Sequence, residues 1–353
     1  MITNPEIYIN KRRISLDEPP YIIAELSANH NGKIENALQI IKEAKNAGAD
    51  AVKLQTYKPD TITIDYNSED FCINGGLWGG KTLYQLYEEA HMPWDWHEPL
   101  FDYARKLGIT IFSSPFDRTA VDLLESLNAP AYKIASFEAI DIPLIKYVAS
   151  TGKPMIISTG LADADEIDEA VTAAREAGCT QIAILHCVSG YPAPPGDYNL
   201  QTITDMKQRF GVVTGLSDHT ISNVTAITSI ALGATIIEKH VTLDRAGGGP
   251  DDSFSLEPKE LYELCRDSKI AWEAVGQVNY SCKASEQPNK KFRRSLYVVQ
   301  PMMKGDVFTE NNVRSIRPGY GMKPKFYADV LGKKASSDIT YGTALTESLV
   351  SED

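Results

Sequence analysis

Short β-branched runs alternate with amphipathic segments through most of this chain, and no other feature constrains its fold more. The runs are YIIAEL at 21–26, AVKLQT at 51–56, TIFSSP at 110–115, AYKIAS at 131–136, PMIIST at 154–159, IAILHC at 182–187, VVTGLS at 212–217 and TIIEKH at 235–240. Apolar residues at helical spacing fill 34–47, 96–107, 119–127, 142–149, 164–177, 200–210, 221–232 and 258–275. Gly48, Gly108, Gly178 and Gly211 each stand just before the next strand, where a left-handed helix stop favours a residue without a Cβ. Strand–helix–strand crossovers set their strands parallel and side by side. Eight such units predict an α/β fold, a (β/α)8 TIM barrel. An open doubly wound sheet is the competing arrangement. The count of eight favours the barrel, as do the polar residues closing nearly every run, because barrel active sites lie at the C-terminal strand ends.

Alternation within strands then says which side chains face inward. In AVKLQT, Val52 and Leu54 can pack on helices, which aims Lys53 and Gln55 at the barrel interior. A lysine there is costly to desolvate unless it meets an anion or reaches back to the rim. AYKIAS repeats the pattern with Lys133, followed by Ser136 and Glu138. Two inward lysines at one mouth point to a doubly charged ligand such as a phosphate or a phosphorylated acid. Ser113, Ser114, Ser158 and Ser217 at other strand ends can donate to it. His219 and His240 fall just past one strand and at the end of the next, so both imidazoles emerge at the same edge, near Asp218, Glu238 and Asp251. Such a pair can hold a divalent ion with coordination positions left open. A pair making ordinary hydrogen bonds would leave the same pattern.

The segment 57–81 is a long insertion rich in Asp, Asn and Gly, and its aromatics, with Trp94 and Trp96, predict an ordered lid. Gly190-Tyr191-Pro192 places an aromatic over the mouth, and Gly247-Gly248-Gly249-Pro250-Asp251 reads as a flexible loop leading to an acid. The expected organisation is a catalytic barrel over 1–280 with an N-terminal hairpin at 6–14 turning at Asn10-Lys11, a polar linker over 281–291, and a small β-rich unit over 292–353. The net charge of −12 argues against nucleic acid or a membrane surface as partner. Residues 1–13 lack the apolar core of a secretory signal, and the five cysteines form no CxxC pair. A cytoplasmic protein is the expectation.

IAELSANHNG at 23–32, AVKLQTY at 51–57, SSPFD at 113–117, YKIAS at 132–136, ISTG at 157–160, LHCVSGYP at 185–192, GLSDHT at 215–220, EKHVT at 238–242 and GGPDDSFSLEP at 248–258 together resemble the sialic acid synthase family. RPGYG at 317–321 resembles that family's C-terminal antifreeze-like (SAF) domain. The resemblance covers nearly the whole chain. Within the family, 69–97 and 244–258 look most like the branch that makes pseudaminic acid from 2,4-diacetamido-2,4,6-trideoxy-L-altrose. Ser189 departs from the Asn that those relatives often carry there. The resemblance implies condensation of phosphoenolpyruvate with an amino-sugar aldehyde. It implies Mn2+, or else Mg2+ or Co2+, on His219 and His240. Lys53, Ser114, Lys133, Ser136, Ser158 and Ser217 would bind phosphoenolpyruvate, with Glu138 as base. Glu25, Gln55, Tyr191 and Asp251 would face the sugar, and Arg317 would reach it from the partner in a domain-swapped homodimer. Three alternatives stand beside this: a Schiff-base aldolase using Lys53 or Lys133, a non-catalytic carbohydrate- or ice-binding protein, and the same chemistry on N-acetylmannosamine or a legionaminic precursor.

Overall fold

A computed structural model describes residues 4–351; the outermost residues of the expected domains, 1–3 and 352–353, lie outside it. The chain divides into two compact units, Met1–Gly276 and Gln277–Asp353. In the first, β1 (Ile7–Ile9) and β2 (Arg12–Ile14) form an antiparallel hairpin. It turns at Asn10 and Lys11, both at positive φ, as a tight hairpin turn requires. Eight parallel strands follow: β3 (Tyr21–Glu25), β4 (Ala51–Thr56), β5 (Thr110–Pro115), β6 (Tyr132–Ile134), β7 (Met155–Ser158), β8 (Ile182–Cys187), β9 (Val213–Asp218) and β10 (Ile236–His240). They pair in sequence order, and β10 returns to β3, closing the barrel.

The helices are α1 (Ile34–Ala47), α2 (Pro59–Ile62), α3 (Leu83–Ala90), α4 (His97–Leu107), α5 (Arg118–Ser126), α6 (Ile142–Ala149), α7 (Ala164–Glu176), α8 (Gln201–Phe210), α9 (Val224–Ala231) and α10 (Pro258–Val275). Of these, α2 and α3 belong to the long segment after β4. Gly48, Gly108, Gly178 and Gly211 all take positive φ at helix ends. Among the described residues no helix is long and apolar enough to cross a membrane.

Side-chain alternation sorts the strands into two cores. Val52, Leu54, Ile111, Ile134, Ile157, Ile184, Leu216 and Ile237 join the apolar faces of the helices in one buried cluster. Tyr21, Ile23, Ala51, Phe112, Ala131, Ile156, Ala183, Leu185, Val213 and Ile236 fill the barrel interior, together with Ile7, Ile9 and Ile14 of the hairpin. The hairpin therefore completes the apolar end of the barrel, while the polar inward residues lie further along each strand. Gly215 is an inward position with no space for a side chain. A Cβ there would run into the Ile236 carbonyl oxygen and stand 2.7 Å from Leu185 Cδ2.

The second unit carries β11 (Ser295–Val298) paired antiparallel with β12 (Val313–Ile316), and a short helix α11 (Tyr327–Val330). Leu296, Val298, Phe308, Val313, Val330, Ile339 and Leu345 form its own core. Gly305 and Gly342 lie in its turns, both at positive φ. Residues 281–291, expected as a plain linker, carry most of a 3-10 helix, Ala284–Phe292.

Gly215→Ala should destabilise the barrel by about 1–3 kcal/mol through overpacking, seen as a lower urea midpoint at constant slope. An unchanged midpoint would mean that the interior at β9 is looser than these contacts indicate.

Candidate active site

One step beyond the apolar interior, the inward positions become charged. Glu25 ends β3, Lys53 lies in β4, Lys133 in β6 and Glu238 in β10, all buried. Lys53 Nζ stands 3.0 Å from Glu25 Oε2 and 3.4 Å from Glu238 Oε1. Lys133 Nζ reaches the same Glu238 oxygen at 3.2 Å. Ser217 also donates to it at 3.2 Å, and Lys53 donates to Ser114 Oγ at 3.2 Å. Burial works to raise the Glu238 carboxyl, but Lys133 and Lys53 outweigh it and hold it below the usual range. Burial works to lower the Lys53 ammonium, and Glu238 with Glu25 outweighs that too. Lys133, with less compensation, is pushed down by burial. Glu25 is pushed up by burial, against Lys53. Glu238 is thus the firm anion of the group, shared between two lysines.

The next layer toward the strand ends carries the histidines. His219 follows β9 directly, and its backbone N–H donates to Tyr198 Oη at 2.7 Å. Its Nδ1 lies 2.8 Å from the Val188 carbonyl. Donation there puts the proton on Nδ1 and leaves Nε2 as a free acceptor. His240 closes β10. Burial pushes its pKa well down, helped by His219, so the ring is neutral. Its Nδ1 stands 3.8 Å from Asp251 Oδ2 and, among the described residues, has no hydrogen-bond partner. The two ring centroids are 5.3 Å apart at 67°. Burial works to lower the His219 pKa, but Cys187 and the Val188 carbonyl outweigh it and raise it. The two converging rings, with the buried unpaired nitrogen of neutral His240, fit a divalent ion. No further His, Cys, Asp or Glu among the described residues completes a metal cluster with them.

One expected acid and one expected serine behave differently. Asp218 faces the helices rather than the histidines, where it pairs with buried Lys239 at 2.9 Å; its parity in β9 is that of Leu216, opposite to Ser217. Ser113, expected to face an anion, also points outward and shares a 2.6 Å hydrogen bond with Thr56. The glycine run before Asp251 is held rather than loose. Gly249 N donates to Asp252 Oδ2 at 2.7 Å, and a Cβ on Gly249 would collide with the Asn31 side chain. Close packing explains that glycine, where flexibility had been expected.

One cavity is lined by Glu25, Lys53, Gln55, Lys133, Ser136, Glu138, Ser158, Tyr191, Ser217, His219, His240 and Asp251. Ser114 joins through Lys53. Arg317 lies in the other unit, exposed in the bend after β12. Glu138 sits on the 3-10 turn Ser136–Glu138, and the start of α6 holds this turn: Asp141 N donates to the Glu138 carbonyl at 2.9 Å while the Asp141 side chain caps Leu144 N. Burial, reinforced by Asp141, raises the Glu138 carboxyl to about 7. Glu138 Oε2 and Ser158 Oγ are buried without hydrogen-bond partners among the described residues, as expected of groups that await a ligand. Gly160 leaves room for Ser136, since any Cβ there would overlap the serine. Tyr191 lies over His219, with ring centroids 4.4 Å apart.

Sequence reasoning missed Ser27, Tyr57 and Trp78. Ser27 donates to Asp251 and accepts from Gln55 at 3.0 Å. Tyr57 continues the inward row of Lys53 and Gln55, so alternation carried past the strand reaches both Ser27 and Tyr57. Trp78 belongs to the insertion, and no local pattern marks it. Its Nε1 donates to the Pro250 carbonyl at 3.0 Å, and its ring packs on Tyr191 at 5.5 Å.

Comparison with known proteins agrees with this geometry. The pseudaminic acid synthase of Campylobacter jejuni is 44% identical over 332 residues, 94% of this chain and 97% of that protein. The pseudaminic acid synthase of Helicobacter pylori is 42% identical over 93% of this chain and 97% of its own length. The crystal structure of an N-acetylneuraminic acid synthetase from Leptospira borgpetersenii is 31% identical, covers 81% of this chain and 95% of its own, and superposes with a TM-score of 0.72. Residues 293–351 match the SAF domain. Residues 40–280 match the NeuB family, and with its charged barrel interior, paired histidines and SAF unit the chain belongs to that family.

Proposed function

We propose that this protein condenses phosphoenolpyruvate with 2,4-diacetamido-2,4,6-trideoxy-L-altrose and water, releasing pseudaminic acid and phosphate. The observation that carries the reading is the pair of buried lysines, Lys53 and Lys133, sharing one carboxylate in the cavity that the paired histidines also line. An incoming phosphate and carboxylate can take over the lysines from Glu238 and Glu25. Ser114, Ser136, Ser158 and Ser217 supply hydroxyl donors around them. His219 and His240 would hold the divalent ion, with Mn2+ our choice over Mg2+ or Co2+. When bound, such an ion supplies Lewis-acid polarisation of an aldehyde oxygen.

The residues of the chain do the rest. Lys53 and Lys133 hold the anion with its C3 methylene toward the aldehyde carbon. The C3–C1 bond forms as the enol phosphate double bond supplies its electrons and the aldehyde π pair moves onto oxygen, which takes up a proton to become a hydroxyl, leaving C2 electron-poor. Glu138, whose carboxyl titrates near neutrality, accepts a proton from the water that adds at C2. The C2–O bond to phosphate then breaks and C2 becomes a ketone. Glu25, Gln55, Tyr191 and Asp251 orient the sugar. Arg317 of a second copy completes the sugar site, making the enzyme a domain-swapped homodimer. The five cysteines are all unpaired, and we place the enzyme in the reducing cytoplasm.

Phosphate release from phosphoenolpyruvate should require both the altrose sugar and a divalent ion, and EDTA should abolish it. Turnover of N-acetylmannosamine alone would keep the chemistry and overturn the choice of sugar. Glu138→Gln should retain phosphoenolpyruvate binding by calorimetry while turnover falls by about 10²–10⁴-fold. In the wild type, kcat/KM should fall as pH drops through about 7, because the base form of Glu138 is lost. A flat profile from pH 6 to 8 would remove Glu138 from that role. Arg317→Ala and Glu138→Gln, each nearly inactive alone, should regain activity when unfolded together and co-refolded, since a mixed dimer holds one intact site. No recovery in verified mixed dimers would mean that Arg317 acts within its own chain.

A further inference from the structure

Part of the cavity has no role in holding phosphoenolpyruvate or activating water. It is a continuous apolar wall of Tyr57, Ile62, Trp78, Leu86, Tyr87 and Phe116. Every residue of it comes from the long segment after β4 or from the residue just past β5. Tyr57 meets Tyr87 edge-on at 5.6 Å and Phe116 at 5.2 Å. Leu86 and Tyr57 are buried. α3 is anchored at its start by a capping box in which Thr82 and Gln85 satisfy each other's backbone N–H. The wall is therefore a preformed surface and not a loosely closed loop. Its position relative to the chemistry is set by Tyr191, whose ring lies 4.4 Å from His219 on one side and 5.5 Å from Trp78 on the other. The wall thus begins one aromatic ring beyond the imidazoles. A sugar whose aldehyde lies at His219 and His240 can run its remaining carbons past Tyr191 onto this wall.

We infer that this wall is a specificity subsite for the alkyl groups of the sugar, above all its deoxygenated C6 methyl. The assignment rests on the synthase reading and deepens it. The altrose substrate carries three methyl groups, one at C6 and one in each acetamido group. Apolar surface of this kind gains from desolvating a methyl group. A hydroxyl at C6 would lose its water there against side chains that return no hydrogen bond through their hydrocarbon faces. Discrimination by an apolar pocket against an added hydroxyl is about a hundredfold at most, so the subsite selects among amino sugars without being needed for the reaction itself.

The test compares 2,4-diacetamido-2,4,6-trideoxy-L-altrose with its 6-hydroxy counterpart, using phosphate release from phosphoenolpyruvate with Mn2+ in the full-length enzyme. The wild type should prefer the 6-deoxy sugar by about 10–100-fold in kcat/KM. Leu86→Ser and Ile62→Ser should each lower that ratio severalfold while leaving the KM for phosphoenolpyruvate unchanged. If Leu86→Ser fails to fold, Ile62→Ser, on the partly exposed four-residue helix α2, carries the comparison. Equal losses for both sugars, or an unchanged ratio, would overturn the subsite while leaving the synthase reading intact. Turnover of neither sugar by the wild type would overturn both.

Discussion

The structure turns on one carboxylate. Glu238 lies inside a closed barrel and takes hydrogen-bond or ion-pair contacts from Lys53, Lys133 and Ser217 on a single oxygen. Removing Glu238 would take from buried Lys133 the carboxylate it pairs with, which is costly in a low-dielectric interior. With Glu238 alone shared between them, two lysines stand close together at the bottom of the cavity. That concentration of positive charge is what a phosphorylated acid needs, in a protein whose net charge is −12. The local field, not the overall charge, decides what enters.

The barrel makes this arrangement possible by separating three layers along the same inward rows. The hairpin and the first inward residues supply an apolar base. The charged layer rests on it, and the histidines cap the charged layer at the strand ends. An apolar base and a closed wall keep water away from the lysines, and the carboxylates of Glu238 and Glu25 oppose the loss of charge that burial alone would cause. The segment after β4 then covers one side of the mouth, with Trp78 tied to Pro250 and Tyr191. In the proposed reaction, the barrel strands hold the groups assigned to phosphoenolpyruvate and the inserted segments shape the space assigned to the sugar, a division common to barrel enzymes whose loops carry specificity.

Much of this was legible in the order of residues. Eight β-branched runs, glycine helix stops and strand alternation favour a (β/α)8 barrel with Lys53 and Lys133 facing inward, because each depends on local backbone geometry. The same alternation brings His219 and His240 to one edge. Other features were decided only by tertiary structure. Asp218 pairs with Lys239 beneath the helices, although in sequence it adjoins His219. Gly249 is required by the closeness of Asn31, a residue more than two hundred positions away. Glu238 becomes a shared counter-ion only when β4 and β6 are brought across the barrel from β10, and Trp78 reaches Tyr191 only through the path of an irregular insertion. Alternation says which way a side chain points. Which groups then meet depends on strand register and barrel closure, and those belong to the whole fold.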